Sequence, residues 1–378
     1  MFNLMHKDGM NKSFISIFAL CVAAISVTVS CTSDKYVSIT GYAQGGSYVV
    51  KLNLQGRDGR IGVSPEKIKA GIDSVTVALD NSLSGYNGKS LLTRFNNGER
   101  IVPDSIFTDI YRISYGFFEE TGGAFDVAAG PLFDIWGFGF KEGSMPSDEM
   151  VAEVRESCGM RALYPDISGR VADDGSVCSS DMVKDDAPRK YGKPRLNFNA
   201  IAQGYTCDIV ADYLYSLGVK DMLINIGGEI YCDGLNPSGK PWTVGVDRPV
   251  DGNNTPGAML EGTLTTGGGP CGIVTSGNYR KFYVKDGRKY AHTVDPRTGY
   301  PASDSLLSAT VVAKDATTAD ALATYCMVIG FEKSKEFISS RPDLEGYLIY
   351  AKSSSADSLS FGTWESSFDS GFLSRSAE

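Results

Sequence analysis

Apolar and polar positions along this chain change period several times, and each change predicts an element. Over residues 64–83 the apolar positions follow one helical face through Val75 and Leu79, after Ser64-Pro65-Glu66 supplies an N-cap and a proline in the first turn. Comparable patterns predict helices over 104–121, capped by Asp104 and stopped at Gly122-Gly123, over 146–158, over 202–217 ending at Gly218, and around Asp320. A period of two marks strands. Between residues 36 and 53 the run Tyr48-Val-Val-Lys-Leu-Asn-Leu54 alternates after a turn-rich entry at Gly41 to Gly46. Further strands are predicted at 195–198, 222–226, 242–247, 260–265, 272–276, 279–284, 306–313 and 346–350, and the polar stretch 165–195 reads as a hairpin with a loose loop. Strands and helices mix without regular alternation and without an internal repeat. That pattern predicts an α+β body of mixed sheets and packed helices over residues 40–355, with 356–378 as a tail.

The N-terminal end reads differently. Lys7 and Lys12 precede an uncharged, mostly apolar run over 14–29, and Ser30-Cys31 closes it. As a helix that run extends about 24 Å, short of the roughly 30 Å of hydrocarbon a stable span crosses, so residues 1–30 are expected to be a cleaved leader. Cys31 before Thr32-Ser33-Asp34 resembles a lipoprotein processing site, which would leave 31–39 as a tether on a bacterial envelope membrane, facing the periplasm. An ordinary secretory cleavage nearby is the alternative. The net charge of −9 opposes a nucleic-acid surface, which needs a basic stripe. Six cysteines follow Cys31, too dilute for a disulfide scaffold and without zinc-knuckle spacing. Only Cys158 and Cys178 are close enough in sequence to invite a bond, and Cys207 and Cys326 fit as small core residues.

Candidate chemistry concentrates in the C-terminal third. The chain has two histidines, and His6 falls in the leader, so imidazole chemistry rests on His292 in Tyr290-Ala-His292-Thr-Val-Asp295-Pro-Arg297. Asp320 and Thr324, four apart on a helix, share a face and together suit a hard cation such as Mg2+ beside phosphate oxygens. The plain alternative is a first-turn acid and a core threonine bonded to its own helix. Gly122 to Gly139 concentrates glycines, aromatics and the carboxylates Asp126 and Asp134, and Asn199-Ala200-Ile201-Ala202-Gln203 opens a helix whose amides suit an anion. No lysine-bearing phosphate loop is present.

Taken in order, Leu83-Ser84-Gly85-Tyr86 with Ser90 and Arg94-Phe95-Asn96, Gly123-Ala124-Phe125-Asp126, Ala200-Ile201-Ala202-Gln203-Gly204-Tyr205 with Asp208, Asn225-Ile226-Gly227-Gly228-Glu229, Thr275-Ser276-Gly277-Asn278-Tyr279, the His292 tract and the Asp320 helix resemble the ApbE-type FAD:protein FMN transferases. The likeness runs from about residue 40 to about residue 350. It implies Mg2+-dependent cleavage of FAD, as substrate, at its pyrophosphate. FMN would pass to a threonine hydroxyl of an acceptor protein and AMP would be released. Such an acceptor is a redox-pump subunit by family resemblance.

By position, the resemblance places Tyr86, Ala124, Phe125, Asp126, Gln203 and Ser276 on the flavin dinucleotide. Metal ligation falls to the side chains of Asp320 and Thr324 and the main-chain oxygen of Ala200, and His292 is the base, with Asp295 and Arg297 orienting it or the phosphates. Three positions depart from the family pattern: Gln203 stands where lysine or glutamate is frequent, Asn197 and Asn199 replace an aspartate and a glycine, and Gln44 sits where a methionine-glycine-threonine turn usually begins. Hydrolysis of FAD to FMN and AMP, or flavin binding without turnover, are the alternative readings.

Overall fold

The computed structural model describes residues 35–137, 146–184, 195–250, 253, 257–277, 282–285, 288–291, 293–302, 304–355, 358–367 and 370–374. The predicted leader, Cys31 and His292 lie outside the described residues. Eight helices of six residues or more are found among them: α1 Pro65–Leu83, α2 Leu91–Asn96, α3 Ser105–Glu120, α4 Gly130–Ile135, α5 Asp148–Ser157, α6 Ala202–Ser216, α7 Ala316–Ile329 and α8 Phe331–Ser339. The two predicted caps hold, Ser64 accepting from Lys67 N and Asp104 from Phe107 N, and Ser147 also caps α5 by accepting from Met150 N.

The largest sheet has eight strands whose spatial order is also their chain order: β1 Tyr36–Ala43, β2 Gly46–Asn53, β3 Met222–Ile226, β4 Glu229–Asp233, β5 Cys271–Gly277, β6 Leu306–Ala313, β7 Glu345–Ser355 and β8 Ser358–Glu365. Every neighbouring pair is antiparallel. Alternating side chains divide between two cores. Tyr231 of β4 packs with α6 residues such as Cys207 and Val210, and Val274 of β5 with Ala319, Leu322 and Ala323 of α7. On the opposite face Ile230, Cys232, Cys271 and Ile273 pack with Trp242, Val244, Val246, Leu264 and Leu373. These last belong to or adjoin a three-stranded sheet of Thr243–Asp247, Leu260–Thr266 and Leu373–Ser374.

Several boundaries differ from expectation. Residues 36–53 form a two-strand hairpin, because Gln44 (φ 50°) and Gly45 (φ 78°) both take the left-handed conformation that a two-residue turn demands. Gln44 is held there by donating from Nε2 to Thr206 Oγ1 of α6 at 2.7 Å. The predicted strand at 195–198 reduces to a bridge between Arg195 and Ala129. The described part of 165–195 contains a 3-10 turn over Ser168–Arg170 and isolated bridges instead of a hairpin. The body also continues past residue 355, since β8 pairs with β7 and Leu373–Ser374 pairs with the strand Leu260–Thr266.

Helix α7 lies against β5, β6 and α6 closely enough that glycine is required twice. A Cβ on Gly204 of α6 would come within 2.3 Å of the Ala316 carbonyl oxygen, and one on Gly272 of β5 within 2.3 Å of the Ala316 nitrogen. The start of α7 is thereby fixed in depth against both neighbours.

Candidate functional site

A cavity of about 1070 Å³ opens where the ends of these elements converge. Its wall takes Ala200 and Gln203 from the start of α6, Ser276 from the end of β5, and Asp320 and Thr324 from α7. The turn after α3 adds Ala124, Phe125 and Asp126, and the loop after α1 adds Tyr86. All the residues expected on the flavin or the metal therefore face one space, although they come from segments spread over more than half the chain.

Asp320 is 5% exposed, and its Oδ2 accepts from Gly204 N at 3.0 Å. Burial, followed by the charge of nearby Asp208, outweighs that hydrogen bond and pushes the carboxyl up to about 7. Asp208 is a counterpart on α6. It accepts from Ala316 N at 2.9 Å, Thr317 N at 2.8 Å and the Thr317 hydroxyl, and burial likewise lifts it to about 7. Thr324 Oγ1 stands 3.5 Å from Ser276 Oγ, so a carboxylate and two hydroxyls share this wall. An oxygen-only donor set around a carboxylate short of positive charge fits Mg2+, because a cation would favour the ionised form that burial disfavours.

The first turn of α6 has no side-chain N-cap of its own, Ile201 occupying that position. Of its first amides, Ala202 N donates to Phe198 O at 2.8 Å and Gly204 N to Asp320, while Gln203 between them lines the cavity, so the positive end of the helix lies beside a space suited to phosphate oxygens. Tyr86 is 78% exposed at the cavity edge, 3.5 Å from Asn199 Nδ2 through its hydroxyl, and offers a flat face to a ring system. Asp126 has a second task. Its Oδ1 accepts from Ala128 N at 2.8 Å and Met160 N at 3.0 Å, tying the 124–128 turn to the following segment, and burial pushes its carboxyl up to about 7.

Asp295 and Arg297 are placed otherwise. Arg297 donates from its backbone N and Nε to Asp295 Oδ1 and from Nη2 to Oδ2, forming a closed pair within one turn. Their neighbours Thr293, Val294 and Pro296 line the cavity, whereas these two side chains do not. The turn is anchored from behind by Trp136 Nε1, which donates to Gly299 O at 2.7 Å.

Sequence reasoning did not anticipate the wall formed by Thr243, Val244, Gly245, Asp247 and Leu260 of the smaller sheet, nor Met327 and Val328 of α7. The alternation in 243–247 identifies a strand but not what its exposed face borders. Asn225, Gly227, Gly228 and Glu229, part of one of the motifs that carry the family resemblance, also line the cavity.

A model of the ApbE family matches residues 37–348. The chain is 32% identical over 313 residues to the FAD:protein FMN transferase of Escherichia coli (strain K12), covering 82% of this chain and 81% of that protein. It is 30% identical over 344 residues to the FAD:protein FMN transferase of Haemophilus influenzae, covering 89% and 93%. Among solved structures, the apo form of Pseudomonas stutzeri flavinyl transferase ApbE superposes with a TM-score of 0.71 at 28% identity, over 91% of this chain and 98% of that one.

Proposed function

The chain belongs to the ApbE family of flavin transferases, and on that footing we propose that it moves FMN from FAD to a threonine hydroxyl of an acceptor protein, releasing AMP. The observation that carries the reading is the meeting of Ala200, Ser276, Asp320 and Thr324 on one cavity wall beside the start of α6. Asp320, Thr324 and the main-chain oxygen of Ala200 would hold Mg2+. Bound there, the ion would supply neutralisation of pyrophosphate charge, the main requirement of phosphoryl-type transfer.

The chain's own residues do the rest. The start of α6 sets the positive end of its dipole beside the phosphate oxygens. Tyr86, the Ala124-Phe125-Asp126 turn, Gln203 and Ser276 hold and orient the dinucleotide. A threonine oxygen of the acceptor forms a bond to the FMN phosphorus as the bridging phosphorus–oxygen bond breaks, and AMP departs with that electron pair. His292 takes the threonine proton, for which an imidazole titrating near neutrality is suited. Asp295 and Arg297, already paired, orient the His292 tract. In this reading the protein is exported and tethered through lipid on Cys31, so its acceptor exposes the threonine on the same side of the envelope. The motif resemblance points to a redox-pump subunit.

The test is direct. The body is incubated with FAD, Mg2+ and an acceptor bearing an exposed Ser/Thr-Gly-Ala-Thr segment, and AMP and intact acceptor mass are followed. A covalent gain matching FMN, one AMP per adduct and loss of both with a chelator are expected. Equal FAD loss with and without acceptor would instead favour hydrolysis, and a tight FAD complex without turnover would favour a flavin-binding protein.

A further inference from the structure

Of the six cysteines after Cys31, the two closest in sequence, Cys158 and Cys178, lie in different surroundings. Cys158 is buried in a small cluster with Leu132, Trp136 and Val154, whereas Cys178 is only partly buried and outside it; all six cysteines of the described residues, Cys232 and Cys271 included, are free thiols here. The sheet brings together a different pair. In the antiparallel register of β4 and β5, Ile230 faces Ile273, Tyr231 faces Gly272 and Cys232 faces Cys271. Both thiols are fully buried and belong to the same cluster between the large and small sheets, so both side chains leave the large sheet on the same face. Directly opposed residues of an antiparallel pair have Cα atoms about 4.5 to 5.5 Å apart, inside the roughly 4.4 to 6.8 Å that a disulfide spans.

We propose that Cys232 and Cys271 are a crosslinking site, joined by a disulfide between β4 and β5 as the sheet assembles. The oxidant is a small-molecule or protein disulfide. One cysteine thiolate attacks it, giving a mixed disulfide and one released thiolate. The second cysteine thiolate then attacks the mixed disulfide, forming the Cys232–Cys271 bond and releasing the second thiolate. Two protein thiols are oxidised, one external disulfide is reduced, and the two protons pass to the released thiolates.

Timing follows from burial. In the folded, reduced protein neither thiol reaches solvent, so the bond forms before the smaller sheet closes over the pair. Position gives it a consequence for the cavity, because β4 starts at Glu229 and β5 ends at Ser276-Gly277, all on the cavity wall. The link would hold these two strands together a few residues from those positions. It would also close the intervening loop, which carries two strands of the smaller sheet.

The full chain is reduced and denatured, refolded with or without oxidised glutathione, and alkylated under denaturing conditions for peptide mapping. The expected result is two fewer alkylated cysteines after oxidative refolding, with the peptides of Cys232 and Cys271 recovered as one species that separates on reduction. The urea midpoint of the oxidised protein should fall when reductant is added, and Cys232→Ala should abolish that response. If both peptides remain separately alkylated after oxidative refolding, or if Cys232 is found linked to another cysteine, the proposal is overturned. Mapping of the unsubstituted chain decides the matter even if the variant does not fold.

Discussion

Helices α6 and α7 exchange carboxylates, and the two exchanges are not equivalent. Asp208 of α6 reaches the start of α7 and accepts from Ala316 N, Thr317 N and the Thr317 hydroxyl, where Asp315 already caps Thr318 N. Asp320 of α7 reaches the first turn of α6 and accepts from Gly204 N. Each carboxyl is driven up to about 7 by burial, so both are costly as anions. They differ in what surrounds them. The Asp208 oxygens are taken up by the helix start, whereas Asp320 has one hydrogen bond among the described residues and borders the cavity. The same kind of group is thus used once to fix a helix and once to face a ligand, and spare acceptor capacity tells the two uses apart.

The largest expected effect tests the ligand-facing member. Asp320→Ala should lower Mg2+-dependent AMP release by about a thousandfold or more, since a charged ligand in a phosphoryl-transfer site stabilises developing charge by several kcal/mol. Cooperative unfolding should persist, because removing a buried carboxylate offsets part of the lost bond to Gly204 N. Turnover by this variant at limiting Mg2+ equal to the unsubstituted protein would end the assignment.

Next in size is the structural member. Asp208→Ala strips the start of α7 of its additional cap, and a destabilisation of about 2 kcal/mol is expected, as for other lost caps and unsatisfied buried donors. Measured by urea unfolding, that loss should accompany a turnover decrease of less than about tenfold at saturating Mg2+. A stable Asp208→Ala protein as inactive as Asp320→Ala would show that the two carboxylates share one task.

The distinction between these residues was only half visible in the sequence. Spacing alone puts Asp320 and Thr324 on one helical face, and the ordered motifs identify their company. The reciprocal caps were not legible, because Asp208 to Ala316 and Gly204 to Asp320 join residues more than a hundred positions apart. Local pattern also missed β4, a short strand that follows Gly227-Gly228 without a spacer, and β8, whose short Leu359/Phe361 alternation is broken by Gly362. The β1–β2 turn was obscured by a glutamine in a conformation usually left to glycine, asparagine or aspartate. Elements with a strong period and a cap, such as α1 and α3, were found nearly to the residue.

pH sharpens the comparison further. Both carboxyls sit at about 7 when folded, against roughly 3.9 for an unfolded aspartate, so folding binds protons at these sites. Their contribution to stability is fully present below about pH 4 and is lost as pH rises through about 7. A cation held by ionised Asp320 should restore stability on the upper side of that window and do little on the lower side. Urea midpoints from pH 4 to 8, with and without Mg2+, should diverge as pH rises. Asp208→Asn should flatten the curve without Mg2+ and leave the divergence in place. An equal Mg2+ effect at pH 5 and pH 7.5 would place the cation elsewhere.

The smallest effect is expected at the Asp295–Arg297 turn, which contrasts with the helix pair in every respect. Arg297 is 39% exposed at its side chain against 13% for its partner Asp295 two residues away, and a local pair with its cation in solvent contributes about 1 kcal/mol. The turn has other anchors: Gly299 N donates to Asp295 O at 2.7 Å, Trp136 Nε1 to Gly299 O at 2.7 Å, and the Tyr300 hydroxyl to Asp148 Oδ1 at 2.7 Å. Arg297→Ala should therefore shift the urea midpoint little and reduce kcat/KM for FAD less than about tenfold. If it instead approached the loss seen with Asp320→Ala, the pair must open during turnover so that the guanidinium reaches the phosphates. Raising ionic strength would then weaken FAD binding to the unsubstituted protein more than to the variant, because a long-range attraction that salt screens would be present only in the former.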